Sequence, residues 1–179
     1  MQNDIEKVIF SAKDLETRIA ELGEMITKDY EGKELIVIGI LKGSNIFTSD
    51  LVRKINIPLK IDFMVVSSYG NTTESSGVVR ILKDLENSAE NKHLLIVEDI
   101  VDSGLTLKYL KEMLHARNPA SIKICTLLDK PAGRKEHVAI DYLGFEVPDE
   151  FIVGYGIDYA EMYRNLPYVG VLKREVYEK

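Results

Sequence analysis

Residues 94–107 read LLIVEDIVDSGLTL and combine a strand, a polar turn and the start of a helix. The run Leu94–Val97 is apolar throughout, which is typical of a strand buried on both faces of a parallel sheet. The acids Glu98 and Asp99 end that run, and Asp102–Thr106 lead into the helix. Because ligands of open α/β sheets bind beyond the carboxyl ends of the strands, this stretch predicts both the fold class and the place of a functional site.

Strands and helices alternate over most of the chain. Apolar runs of strand length occupy 34–41, 61–69 and 122–129, and apolar residues recur at helical spacing over 15–26, 47–55 and 107–114. Residues 70–77, GNTTESSG, followed by 78–85, predict a long hairpin with a mobile tip. The alternation predicts an α/β fold with a largely parallel core sheet flanked by helices. Short apolar segments at 138–145, 150–156 and 168–173 predict further strands and a small appended subdomain.

Composition and charge limit the function classes. The chain has 179 residues, 45% apolar and 29% charged, which is the balance of one folded domain. A formal net charge of −6 argues against a protein that coats nucleic acid, because such binding needs a basic surface. The one cysteine, Cys125, excludes an intrachain disulfide and is compatible with a reducing cytosol.

No targeting pattern is visible in the first residues, which mix acids with apolar side chains. The longest apolar run, Leu35–Leu41, is far shorter than the roughly 20 residues that cross a bilayer. We therefore expect a cytoplasmic protein without a membrane segment.

The turn after Val101 carries the chemistry. Ser103, Gly104 and Thr106 offer hydroxyls and free backbone N–H groups at a helix N-terminus, a combination that binds anions. The carboxylates beside them would repel a bare phosphate. A phosphorylated sugar with Mg²⁺ removes this conflict, because its hydroxyls and its metal both suit carboxylates. The alternative is structural: Asp99 and Asp102 cap the helix, and Glu98 is solvated.

Other motifs are weaker. Lys42-Gly43-Ser44 has neither the residue order nor the glycine spacing of a nucleotide-binding P-loop. The three histidines are scattered and show no metal-binding spacing. Cys125 lies inside an apolar run, which favours a buried, inert thiol.

At the same turn, the segment 97–107, VEDIVDSGLTL, closely resembles the loop that binds 5-phosphoribosyl 1-pyrophosphate (PRPP) in hypoxanthine-guanine phosphoribosyltransferases. Four more segments resemble motifs of that family in the family's order: ILKGS (40–44), the pyrophosphate loop; SSYG (67–70), the flexible lid; LLDKP (127–131), with the purine-binding lysine; and FIVGYGIDYAEMYRNLP (151–167), the purine-stacking and metal segment. The resemblance spans roughly 35–172.

This resemblance implies the type I phosphoribosyltransferase fold, in which a small hood covers the carboxyl edge of a parallel sheet. Residues 1–179 then form a single domain, with the hood built mainly from C-terminal residues and the N-terminus a candidate contributor. The implied reaction transfers the 5-phosphoribosyl group from PRPP to N9 of a 6-oxopurine and yields IMP or GMP and pyrophosphate, in purine salvage. Implied with it are Mg²⁺ as cofactor and a homo-oligomer, either dimer or tetramer, with no nucleic-acid or membrane partner.

The PRPP loop supplies most of the implied roles. Asp102 is implied to transfer the proton at N7 of the purine, while Glu98 and Asp99 hold the ribose hydroxyls and Mg²⁺. The residues implied to hold the 5′-phosphate are Ser103, Gly104, Leu105 and Thr106. Leu105 departs from family members that carry lysine there, which leaves this loop less positive.

The implied pyrophosphate ligands are Lys42, Gly43, Arg164 and Arg134. In the family, the peptide bond before this lysine can be cis. Asp158 is implied to bind a second Mg²⁺. Arg134 lies in the sequence GRKE, which also has the character of a solvated charged turn.

For the purine, the resemblance implies that Lys130 donates to O6, Phe151 stacks on the ring and Ile152 contacts its edge through the backbone. Adenine carries an amino group instead of O6, so two donors would face each other at a cost of about 1–3 kcal/mol, and we expect adenine to be rejected. The alternative for Phe151 and Ile152 is ordinary core packing. Ser68 and Tyr69 are implied to form a lid.

Two other functions stay open on the sequence. One is a regulator that senses PRPP or nucleotides and binds RNA or DNA; such proteins tend to lack the full catalytic set or to carry a basic face. The other is a transferase for xanthine or adenine. Lys130 and the Glu98-Asp99 pair disfavour adenine.

Overall fold

Nine strands and four α-helices alternate along residues 1–68 and 79–178, the part of the chain that the computed structural model describes. The strands are β1 (Ile5–Phe10), β2 (Leu35–Leu41), β3 (Leu59–Ser68), β4 (Val79–Lys83), β5 (His93–Val101), β6 (Ser121–Asp129), β7 (Tyr142–Glu146), β8 (Ile152–Val153) and β9 (Val169–Leu172). The helices are α1 (Ala12–Asp29), α2 (Asn45–Val52), α3 (Leu105–His115) and α4 (Arg174–Tyr177), with 3-10 turns at Gln2–Asp4 and Pro131–Gly133.

The core sheet has the strand order β4-β3-β2-β5-β6-β7. Its neighbours pair in parallel from β3 to β7, and β4 runs antiparallel to β3. This confirms the predicted α/β fold with a largely parallel sheet, and it confirms the pairing of the hairpin strands. The hairpin tip predicted at 70–77 lies outside the described residues.

Both faces of the central strands are buried, as the apolar runs predict. Along β5, Leu95 and Val97 pack into one core cluster, and Leu94 and Ile96 pack into another on the opposite face. Alternate side chains of a strand point to opposite faces, so an uninterrupted apolar run is what a strand covered on both faces requires. The first cluster includes side chains from α1 and α2, and the second includes side chains from α3.

Helix α1 confirms the predicted helix at 15–26. Its buried side chains include Leu15, Ile19, Leu22 and Ile26, all on one face. Ser11 begins the helix through a capping box: the Asp14 N–H donates to Ser11 Oγ, and the Ser11 N–H donates to Asp14 Oδ2. Across residues 1–68 and 79–178, no helix combines the length and the apolar character that crossing a membrane requires.

A second, antiparallel sheet has the order β1-β9-β8. The short C-terminal strands were placed correctly in part. Within the segment 138–145, the strand is confirmed only from Tyr142 onward, and this β7 extends the core sheet instead of the small one. Strand β1 was not predicted, because three of its six residues are exposed and its apolar residues form no long run.

Candidate active site

The site lies at the carboxyl ends of β2 and β5. A cavity of about 310 Å³ opens there. Nine of the residues singled out in the sequence line it: Gly43, Glu98, Asp99, Asp102, Ser103, Gly104, Thr106, Asp158 and Arg164. The parallel topology brings Gly43 to the residues that follow β5, because the ends of neighbouring parallel strands meet at one edge. Asp158 and Arg164 come from the segment between β8 and β9.

Strand β5 continues through the two acids to Val101, which is further than the apolar run suggested. The pairing with β6 persists there, with Glu98 opposite Thr126. Asp99 is 9% exposed, and its Oδ1 accepts the Ile100 N–H at 2.8 Å. A Cβ atom added to Gly43 would lie 1.8 Å from Asp99 Oδ2, so only glycine allows the β2 loop to approach this carboxylate so closely.

Glu98 carries a buried polar atom that the protein leaves unsatisfied. The side chain as a whole is half-buried, yet its Oε2 is fully buried and has no hydrogen-bond partner among residues 1–68 and 79–178. Burial, and next the negative charge of Asp99, raise the pKa of Glu98 well above its usual range. An unsatisfied carboxylate oxygen beside a second acid fits a cation or a hydroxyl donor, so these residues suit the Mg²⁺ and the ribose diol implied above.

We expect Glu98→Gln to stabilise the free protein. The raised pKa of Glu98 means that the folded state resists its ionisation, so stability is lost as the pH rises above the unfolded-state pKa of about 4.3. Glutamine removes that loss. The measurement is the melting temperature of both proteins from pH 4 to pH 8. The variant should melt only slightly above wild type at pH 4, and this difference should grow as the pH rises. A difference that stays flat across this range would contradict the burial argument.

The turn between β5 and α3 has the backbone of an anion cradle. Gly104 adopts φ 81°, in the left-handed region that favours glycine, and is the N-cap of α3 without a side-chain cap. Ser103 Oγ accepts the Leu105 N–H at 3.4 Å, and the Ser103 carbonyl accepts two N–H groups from Lys135 and Glu136. Since Gly104 is the N-cap, neither Asp99 nor Asp102 caps this helix. The structural alternative for these acids is therefore wrong.

Asp102 is exposed at the mouth of the cavity. Its carboxylate lies against Gly133, where an added Cβ would stand 1.6 Å from Asp102 Oδ1. Its backbone carbonyl accepts the Arg134 Nε–H at 3.0 Å. The carboxylate is thus held close to the loop after β6 and open to solvent.

Four charged side chains beside the cavity form a chain of contacts, and two of them, Asp158 and Arg164, line it. Lys42 Nζ lies 2.7 Å from Glu161 Oε2, and Arg164 lies 3.2 Å from Glu161 Oε1 and 2.9 Å from Asp158 Oδ1. Arg164 Nε is buried and has no partner within the described ranges. The peptide bond between Leu41 and Lys42 is cis.

The residues implied to bind purine lie beside a second cavity, of about 300 Å³. Lys130 and Phe151 both line it, and Lys130 Nζ lies 3.0 Å from Asp149 Oδ1. Phe151 is 36% exposed. Tyr177 stacks on its ring, with centroids 4.5 Å apart, and Tyr159 contacts it edge-on at 5.3 Å.

Comparison with known proteins gives the family. A model of the phosphoribosyl transferase domain matches residues 7–160. The chain is 56% identical over 178 residues to the hypoxanthine-guanine phosphoribosyltransferase of Bacillus subtilis strain 168, and the match covers 99% of each chain. The chain belongs to the hypoxanthine-guanine phosphoribosyltransferase family.

Solved structures of this family agree with the fold. A hypoxanthine phosphoribosyltransferase from Staphylococcus aureus superposes with a TM-score of 0.97 at 53% identity, covering 100% of this chain and 97% of that one. The hypoxanthine phosphoribosyl transferase of Trypanosoma cruzi, studied for the role of its C-terminal region in oligomeric state and enzymatic activity, has a TM-score of 0.92 at 45% identity, covering 97% and 94%. The predicted family and the type I phosphoribosyltransferase fold are confirmed.

Some residues that the family resemblance implied are not among the described residues that line the first cavity. Arg134 pairs with Asp129, and it does not belong to the lining that the described residues give the cavity. Ile152 is 6% exposed, with its side chain in the core. Leu105 opens α3, Ser68 is the last residue of β3, and Tyr69 lies outside the described residues. The functional roles of all these residues stay predictions.

Four residues near the site were not singled out from the sequence: Gly133, Asp149, Glu161 and Tyr177. Glu161 stood inside a quoted family segment, yet no spacing rule marked it as a partner of Lys42. Tyr177 is the last residue of α4, which follows β9, and its ring contacts Phe151 because the chain turns after β9. Such contacts depend on the tertiary fold, so local pattern carries no signal for them.

Proposed function

We propose that this enzyme transfers the 5-phosphoribosyl group from PRPP to N9 of hypoxanthine or guanine and releases pyrophosphate. The supporting observation is the cavity at the carboxyl edge, where four carboxylates line the same space as the turn that begins α3. A ligand with a phosphate, a diol and a metal-bound leaving group uses all of these groups. The names of the family relatives agree with that activity.

The 5′-phosphate binds at the turn from Ser103 to Thr106. The hydroxyls of Ser103 and Thr106 donate to it, together with the backbone N–H groups at the start of α3. Leu105 adds no charge to this loop, so binding depends on these neutral donors and on the helix N-terminus. The left-handed backbone of Gly104 sets the direction of these N–H groups.

Glu98 and Asp99 accept the ribose hydroxyls and would hold Mg²⁺, with Asp158 available to a second ion. When bound, such a metal would supply positive charge opposite the pyrophosphate. On the protein side, Lys42 and Gly43 of the β2 loop and the guanidinium of Arg164 bind the leaving group. The unpartnered Nε of Arg164 supports this role, because a buried donor next to an open cavity favours an anionic acceptor.

In the reaction, the bond between C1′ and the pyrophosphate oxygen breaks and the bond from C1′ to N9 forms. The purine loses its proton at N7 to Asp102, which also stabilises positive charge that develops on the ring. Phe151 stacks on the base, Ile152 contacts its edge through the backbone, and Lys130 donates to O6.

Lys130 is expected to set the preference for a 6-oxo group. In Lys130→Met the charged donor to O6 is lost, so kcat/KM for hypoxanthine should fall by about 10- to 100-fold. Activity with adenine should rise, because the donor that faces its amino group is gone. The ratio of kcat/KM for hypoxanthine to that for adenine should therefore fall. Lys135→Met is the matched control, because Lys135 is an exposed lysine five residues away. An unchanged hypoxanthine-to-adenine ratio would remove Lys130 from this role.

The direct test of the activity is pyrophosphate release from PRPP and Mg²⁺ with hypoxanthine, guanine, xanthine and adenine in turn. We expect turnover with hypoxanthine and guanine and rejection of adenine. Tight PRPP binding without turnover on any base would favour the regulator instead.

We further propose that residues 1–179 act as one domain and that the protein works in the cytoplasm as a homo-oligomer, dimer or tetramer. The link between C-terminal region and oligomeric state in the Trypanosoma cruzi relative supports assembly as a property of such enzymes. Light scattering after size-exclusion chromatography measures the number of subunits directly.

A further inference from the structure

Glu161 joins two cations that are proposed to bind pyrophosphate. One carboxylate oxygen lies 2.7 Å from Lys42 Nζ, and the other lies 3.2 Å from an Arg164 nitrogen. Glu161 is therefore the carboxylate that pairs with both of these cations in the free protein, and it shares Arg164 with Asp158, whose Oδ1 lies 2.9 Å from the same guanidinium.

The backbone around Glu161 is constrained. Ala160 and Glu161 adopt φ 49° and 66°, left-handed values that are uncommon outside glycine. The Glu161 N–H donates to Asp158 Oδ2 at 2.8 Å, which ties the turn to a residue that lines the cavity. A strained turn held by such contacts is more often functional than incidental.

We propose that Glu161 is an internal counter-anion of the pyrophosphate subsite: it occupies Lys42 and Arg164 when the subsite is empty and must give them up when a pyrophosphate group binds. This inference rests on the proposed function. It adds Glu161 as a residue that limits the affinity for the pyrophosphate group. Both the substrate PRPP and the product pyrophosphate carry the group that competes with Glu161. The carboxylate thus weakens the binding of both and favours product release.

The ion pair is suited to such an exchange. The Lys42 and Glu161 side chains are 68% and 64% exposed, and exposed pairs add little stability and break easily. A pyrophosphate group that binds here offers several charged oxygens to the cations in place of the one Glu161 carboxylate. The negative charge of Glu161 also repels the incoming group. Removing the Glu161 carboxylate removes its own competition and repulsion, and leaves the contact between Asp158 and Arg164 in place.

The test is calorimetric titration of inorganic pyrophosphate, with and without Mg²⁺, into wild type and Glu161→Gln. We expect binding to be about three- to tenfold tighter in the variant, and the gain to shrink at high salt. Glu34→Gln is the matched control, since Glu34 is an exposed glutamate paired with Lys92 at the amino end of β2, the end opposite to Lys42. It makes the same change in net charge and should leave the affinity within about twofold.

Kinetics give a second readout that a structural role would not produce. In Glu161→Gln, the KM for PRPP and the inhibition constant of pyrophosphate should both fall, while the KM for hypoxanthine stays unchanged. Glu161→Ala should do the same, and it keeps the test valid if the glutamine variant folds poorly. Unchanged or weaker pyrophosphate binding in folded variants overturns the inference and leaves the proposed function standing. Wild type that fails to bind pyrophosphate overturns the proposed function and this inference with it.

Discussion

Asp102→Asn is expected to lower kcat by about 10²–10⁴-fold, the usual effect of removing a general acid or base. Asparagine keeps the shape of the side chain and its position against Gly133 but cannot take the purine proton. The KM for PRPP should change little, because the groups that hold the phosphate and the diol remain. Single-turnover kinetics with hypoxanthine would measure this loss apart from product release.

Stability separates this role from a structural one. Asp102 is exposed, and Gly104, not Asp102, is the N-cap of α3, so the asparagine variant should melt within a few degrees of wild type. Asp84→Asn serves as the control, because Asp84 is also a surface carboxylate, paired with Arg117 and absent from the cavity lining as far as the described residues show. Near-normal turnover in Asp102→Asn would exclude Asp102 as the proton-transfer residue.

The second large effect is expected for Gly43→Ala. The new Cβ would stand 1.8 Å from Asp99 Oδ2, so either the carboxylate or the β2 loop must move. Displacement of about 1 Å at a positioned group costs roughly 10²-fold in rate, and we expect kcat/KM for PRPP to fall by about that factor. Overpacking should also lower the free energy of unfolding by about 1–3 kcal/mol.

Gly32→Ala separates the two effects. Gly32 adopts φ 73° with open space around the position of a Cβ, so alanine there strains the backbone without a clash. It should lower the free energy of unfolding by about 1–2 kcal/mol and leave kcat/KM unchanged. Equal losses of activity in both variants would show that lower stability, and not the displacement of Asp99, explains the result. Urea denaturation and initial rates measure the two quantities.

The sequence predicts the core of this fold well, because a strand buried on both faces requires an uninterrupted apolar run that is visible in the sequence. Runs such as Leu35–Leu41 have almost no polar residue, and the helical spacing of Leu15 to Ile26 marks the face of α1 that packs on the sheet. Strand β1 has no such pattern in the sequence. It pairs with β9, far away in the sequence, and half of its residues are exposed.

The residues of the candidate site also fall into a predictable and an unpredictable group. Glu98, Asp99 and the turn after them are close in sequence, so chain order alone brings them together. Lys42, Glu161 and Arg164 meet only when the loop after β2 and the segment before β9 fold together. The contact of Phe151 with Tyr177 also depends on the second sheet. Sequence reasoning identified the acids and the phosphate turn. It could not identify Glu161 as the partner of Lys42, or Tyr177 as the side chain that stacks on Phe151.

The central claim is that the turn from Asp102 to Thr106 holds the sugar phosphate while the acids before it hold the diol. A crystal structure of the enzyme with IMP tests this most directly. The account predicts the phosphorus atom against the N–H groups at the start of α3, with the ribose hydroxyls within hydrogen-bonding distance of Glu98 and Asp99. A nucleotide bound with its phosphate elsewhere, and with these acids facing solvent, would contradict it.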